Sequence, residues 1–166
     1  MLTHLLRQGG PLLTQLGVGA LIHGTRLVQG TDTVRISRTM PHPIMFSADD
    51  PTLARVREIA LALPETTEVV AHGRPTFRCG KIFAYYGGSV KGGDMMDTSV
   101  LFKPDPTEAT ALAGDDRFFV PAYVGAYGWL GVDLSGAPDW DEVAELLDAS
   151  FRLVAPAKVI RRLDEL

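Results

Sequence analysis

His72-Gly73-Arg74-Pro75-Thr76-Phe77-Arg78-Cys79-Gly80-Lys81-Ile82-Phe83-Ala84-Tyr85-Tyr86-Gly87 is the stretch on which the fold turns. Thr76, Phe77, Ile82, Phe83, Tyr85 and Tyr86 are β-branched or aromatic, types that suit a pleated and half-buried surface. Cys79-Gly80-Lys81 between them reads as a tight reversal, so the stretch predicts two antiparallel strands. It is a scaffold signal and names no reaction.

Upstream, Asp50-Pro51 opens a helix, with Asp as N-cap and Pro at the first position, where its missing N–H costs nothing. Leu53, Val56, Ile59, Ala60 and Leu63 recur at helical spacing, and Pro64 ends the run. Val69 to Ala71 reads as a short strand and His72-Gly73-Arg74-Pro75 as the turn into the central pair. Downstream, Gly87 to Asp94 reads as a mobile hairpin loop. Its glycines lack the Gly-x-x-x-x-Gly-Lys pattern and the following helix that a phosphate cradle needs. Thr98 to Lys103 is a further strand, with Val100 and Phe102 on one face and Leu101 on the other.

Asp105-Pro106-Thr107-Glu108 has the form of a capping box, predicting a short helix through Ala109, Leu112 and Ala113 that ends on a left-handed Gly114. Phe118-Phe119-Val120-Pro121 and Gly128 to Leu134 read as extended. Ala122 to Tyr127 is too rich in glycine for a helix. A long helix starts at Asp139, with Trp140, Val143, Leu146, Leu147, Phe151 and Val154 as its apolar stripe, and Pro156 separates it from a last helix over Ala157 to Leu163. Short connections between strands favour an α+β fold: an antiparallel sheet with helices packed on one face, a two-layer sandwich.

The chain has 166 residues, enough for one domain with a substantial core. Its single cysteine, Cys79, rules out an internal disulfide and a multi-thiolate metal site, and fits a reducing, cytoplasmic setting. Residues 1–39 carry four arginines against Asp32 alone, whereas residues 40–166 hold 12 basic and 19 acidic side chains, a net −7. So acidic a domain repels a polyphosphate at long range unless its few cations gather on one face. Residues 1–39 show neither a sustained helical period nor clean alternation. Pro11 to Ile22 is a poor signal peptide, interrupted by breakers and too short for a membrane span. Scarce acids fit a transit peptide and scarce serine does not. We read residues 1–44 as an appendage, or as sequence upstream of a natural start at Met40 or Met45, and residues 45–166 as a single domain.

Several runs resemble the MmcQ/YjbR family. They are Leu61-Ala62-Leu63-Pro64-Glu65-Thr66-Thr67-Glu68, Pro75-Thr76-Phe77-Arg78 with Gly80-Lys81-Ile82-Phe83-Ala84, Phe118 to Gly125, Gly128-Trp129-Leu130-Gly131-Val132, and Leu153-Val154-Ala155-Pro156, in order across residues 51–160. The resemblance implies a compact fold similar to the bacterial frataxin-like fold, with helices covering one side of a curved antiparallel sheet. It also implies DNA binding, through hairpins arranged as a double wing. Iron chemistry does not travel with that shape, because function lives in sites.

Two functional readings stay open. A DNA-binding or regulatory module would use Arg74, Arg78, Lys81, Lys91 and Lys103 on one wing, with Tyr85 or Tyr86 interleaved for stacking. A small-molecule binding protein would use an aromatic pocket of Tyr123, Tyr127 and Trp129 with His72, suited to a small anionic or planar ligand. The plainer alternatives are a solvated hairpin for the first and core packing for the second. Lys158, Arg161 and Arg162 close the last helix, where cations complement the dipole.

No hydrolase elbow, zincin helix, dinucleotide fingerprint or paired-cysteine motif occurs, so neither an enzyme nor a cofactor is expected. Cys79 and His72 would sit on separate turns with nothing to orient the histidine. His4, His23, His42 and His72 are scattered, and Asp139, Asp141, Glu142, Glu145 and Asp148 read as a solvated helix face, so no metal site is expected.

Overall fold

The computed structural model describes residues 42–165. Of the segment read above as an appendage, only residues 42–44 fall among them, and its remainder lies outside the described residues. The elements run α1 (Pro51–Ala62), β1 (Thr67–Ala71), β2 (Arg74–Cys79), β3 (Lys81–Ser89), β4 (Met95–Phe102), α2 (Ala109–Ala113), β5 (Phe118–Phe119), a 3-10 turn (Val124–Tyr127), β6 (Leu130–Asp133), α3 (Trp140–Arg152) and α4 (Ala157–Asp164). The strands form one antiparallel sheet in the order β1-β2-β3-β4-β6-β5. This is the α+β architecture the strand spacing predicts.

Register sorts the side chains onto two faces, because directly paired residues point the same way. Phe77–Ala84–Phe102–Leu130 and Tyr86–Val100–Val132–Phe118 form rows on the first face. There they bury against Leu53, Val56 and Ala60 of α1, Val143, Leu147 and Phe151 of α3, and Val159 of α4. The intervening row, Val69–Thr76–Tyr85–Leu101–Gly131–Phe119, lies on the opposite face. None of the helices that contribute buried side chains packs there.

Local chemistry explains most boundaries. Asp50 Oδ1 accepts from Thr52 N–H at 2.9 Å, capping α1. Leu63, forced extended by the following Pro64, stops it. Asp139 accepts from the N–H groups of Asp141 and Glu142 to start α3. Arg57 on α1 grips Glu68 on β1 through two parallel bonds of 2.8 Å, fixing the first helix to the sheet edge. Ser150 Oγ on α3 donates to Phe83 C=O at 2.6 Å and accepts from Lys103 N–H at 2.9 Å. It serves a bulge in β3, where Phe83 and Ala84 together oppose Phe77 and the freed carbonyl turns toward the helix.

Three expectations are corrected. Arg74 and Pro75 belong to β2, since the turn is only His72-Gly73, with φ of 52° and 78°. Gly87, Gly88 and Ser89 continue β3, and only Val90–Asp94 makes the connection to β4. The capping box does not form. Asp105 instead binds the N–H and Oγ1 of Thr107 at 2.8 and 2.6 Å, the helix waits until Ala109, and Gly114 is right-handed at φ −89°. With no buried side chain in α2, nothing outweighs that local Asp–Thr turn.

Candidate functional site

On the open face lies a cleft of about 780 Å³. Its floor is the strand backbone at Gly87 and Gly88 with Tyr85 and Leu101 beside it, and Ala122-Tyr123-Val124 and His42, Met45 and His72 line it as well. The Tyr123 wall is held in place by backbone bonds to the end of β3, Ala122 N–H to Ser89 C=O at 2.7 Å and Lys91 N–H to Val120 C=O at 2.9 Å. At the opposite wall, Met45 N–H donates to Gly73 C=O at 2.9 Å, and His42 Nε2 stands 3.2 Å from His72 Nδ1.

Arg74 is the buried cation of this cleft. Its Nη2 donates to Asp97 Oδ1 at 2.6 Å and its Nη1 to Met45 C=O at 3.3 Å. Gly87 makes room for it: with φ at 72°, any Cβ there would overlap Arg74 Nη1 and come within 2.9 Å of Asp97 C=O. Gly88 leaves the floor flat, since a Cβ would press on Leu101 Cδ1 at 3.0 Å. Glycines that read as loop are therefore what opens a concave surface on a sheet.

Of the aromatic residues predicted to make a pocket, Tyr123 lines the cleft and is 91% exposed. Its φ of 62° and ψ of −67°, with Val124 N–H donating to Ala122 C=O at 2.7 Å, form a strained γ-turn that presents the ring at the rim. Trp129 does not line the cleft but packs edge-on against Tyr85, with ring centroids 5.2 Å apart, and so supports a residue of the floor. Tyr127, 76% exposed, is outside the lining.

The predicted basic wing is divided. Arg78 and Lys81 flank the β2–β3 turn, and Lys103 follows β4 at that same end, since Phe102 pairs with Ala84. Arg74 sits toward the other end of β2, four residues or roughly 13 Å from Arg78 at ~3.3 Å per residue, and Lys91 lies beyond the far end of β3. Arg78 is half-buried and donates to Thr76 Oγ1 at 3.0 Å, while Lys81 and Lys91 are exposed. Tyr86 is withdrawn from any stacking role, because it is buried on the helix face and donates to Asp50 Oδ2 at 2.5 Å. Burial, first, and that carboxylate hold its phenol well above the ordinary range.

Cys79 is buried, and burial raises its thiol. It stands at the opposite end of β2 from His72. Among the described residues no group of three or more His, Cys, Asp or Glu comes together to hold a metal, and no helix is long and apolar enough to cross a membrane.

Sequence reasoning missed Gly87, Gly88, Leu101, Met95 and Asp97. Strand alternation could have placed Tyr85 and Gly87 on the face of Arg74 and Thr76. Nothing local could have paired Asp97 with Arg74, 23 residues apart.

Comparison with known proteins agrees with this architecture. No curated protein matches the chain. Among solved structures, the crystal structure of a structural-genomics target protein from Pseudomonas syringae aligns with a TM-score of 0.50 at 18% identity, covering 61% of this chain and 97% of that one. That likeness is one of fold. The family model described as YjbR matches residues 61–153, from the end of α1 through α3, which is more than half of the sequence. The chain belongs to the YjbR family.

Proposed function

We propose that this YjbR-family domain is a small-molecule binding protein and that its site is the open-face cleft. The observation that carries the reading is the paired-glycine floor, which turns a sheet face into a flat-bottomed hollow of ligand size lined by Tyr85, Leu101, Met45, Met95 and Val124. A planar body laid on that floor is shielded from water on several sides. The test is a thermal-shift screen of the full chain against planar aromatic fragments, repeated on Gly88→Leu, which fills the hollow. Ligand at a hundred times its Kd adds about 2.7 kcal/mol to the wild type and nothing to the variant. A panel that shifts neither protein, or both equally, counts against the cleft.

The nucleic-acid reading keeps Arg78, Lys81 and Lys103, because these three share one end of the sheet. Its test is a salt titration of duplex-DNA binding. Binding that weakens steeply with salt and disappears in Arg78→Ala/Lys81→Ala supports it, through counterion release. Absence of binding at low salt retires it.

A further inference from the structure

We infer that the cleft selects planar acids, and that Asp97 is a built-in competitor that a ligand's own anionic group displaces from Arg74. The inference rests on the reading of the cleft as a binding site and adds to it a ligand class and a gate.

The Arg74–Asp97 pair is lopsided. The arginine side chain is 8% exposed and its partner's is 68% exposed. The guanidinium is fixed: it lies over the bare backbone of Gly87, and Met45 C=O holds one nitrogen. A buried cation of this kind must have a counter-charge. Asp97 supplies it through one oxygen only, at 2.6 Å, from a position where its carboxylate is already largely hydrated. Releasing Asp97 to water therefore costs little, whereas Arg74 has nowhere else to go.

Among the described residues, Met45 C=O and Asp97 engage two of the five N–H donors of Arg74. A carboxylate, sulfonate or phosphate reaching the guanidinium from the cleft can take Nη2 from Asp97 and add a second parallel bond, the fork geometry in which arginine holds such groups best. The same ligand's ring then lies on Gly88, between Leu101 and the Tyr123 wall. A neutral planar molecule gains only the burial, leaving the internal pair intact. A cation meets Arg74 and gains nothing.

Two fluorescent probes of nearly the same shape separate these terms. 1-Anilinonaphthalene-8-sulfonate carries the anion and N-phenyl-1-naphthylamine does not. Titrated into the full chain, Asp97→Asn tightens the sulfonate roughly tenfold, the scale of one charge-assisted hydrogen bond, and moves the neutral probe less than about twofold. Asp94→Asn, the same charge change on an exposed turn residue outside the lining, moves both less than about twofold. Arg74→Gln weakens the sulfonate roughly tenfold or more and spares the neutral probe. Should Arg74→Gln not fold, the Asp97→Asn arm decides alone. Unchanged or weaker sulfonate binding in Asp97→Asn overturns the gate while leaving the cleft reading standing, provided the neutral probe binds. If neither probe binds the wild type, the cleft reading falls and takes the gate with it.

Discussion

Tyr123 holds a backbone conformation that costs about 1–3 kcal/mol for a residue with a Cβ. Its ring returns almost nothing in packing, being 91% exposed. Glycine adopts that conformation freely, against an unfolded-state penalty of about 0.5–1 kcal/mol. Tyr123→Gly is therefore expected to raise stability by about 1 kcal/mol in urea denaturation while lowering affinity for any ligand of the cleft. A lower midpoint would mean that the ring is packed after all. The two floor glycines are expected to behave oppositely. Gly87→Ala meets a left-handed φ, a buried guanidinium and a backbone carbonyl, and should lose about 2 kcal/mol or more. Gly88→Ala meets only the Leu101 side chain, at 3.0 to 3.4 Å, which a shift of a few tenths of an ångström relieves, and should lose less than about 1 kcal/mol. Equal losses would refute the account of the floor.

At the scale of elements, Ser150 ties α3 to the bulge in β3 through two bonds to main-chain groups. Ser150→Ala leaves both groups unpaired and should cost about 2–4 kcal/mol, with faster amide exchange at Lys103 as its local signature. Tyr86 joins β3 to the cap of α1 and gives the fold a pH dependence. Its folded pKa is raised above the unfolded value of about 10, so the stability it contributes is whole below pH 10 and diminishes as pH rises beyond it. Stability measured from pH 9 to 11.5 should fall less steeply in Tyr86→Phe than in the wild type; parallel curves would exclude the linkage. Elements were legible wherever a side-chain period met a strong boundary residue. Asp50-Pro51 and Pro64 delimit α1, and Asp139 and Pro156 open α3 and α4, as read, whereas α3 stops at Arg152, short of the Val154 counted in its stripe. The reading failed where local and tertiary signals compete: Asp105 prefers Thr107 to a helix, and Gly87-Gly88 is strand because neighbouring strands recruit it.

Over the whole molecule, the two faces of one sheet divide the labour between cohesion and the candidate site. The helix face was readable from alternation and amphipathic stripes. The open face was readable only in fragments, because a cleft is a relation among residues far apart in sequence, such as Arg74 with Asp97 and Ser89 with Ala122. Strand order carries one further consequence, in time rather than space. The first four strands form a meander whose neighbours are consecutive, so contacts close over short loops and can zip from turn to turn. β6 must cross back past α2 and β5 to reach β4, and β5 then adds outside it. The segment from Val120 to Val124, which walls the cleft, hangs on that late arrangement. During refolding, the amides of Phe77 and Ala84 should gain protection before that of Ala122, so the chain acquires its cohesion first and the wall of its candidate site last.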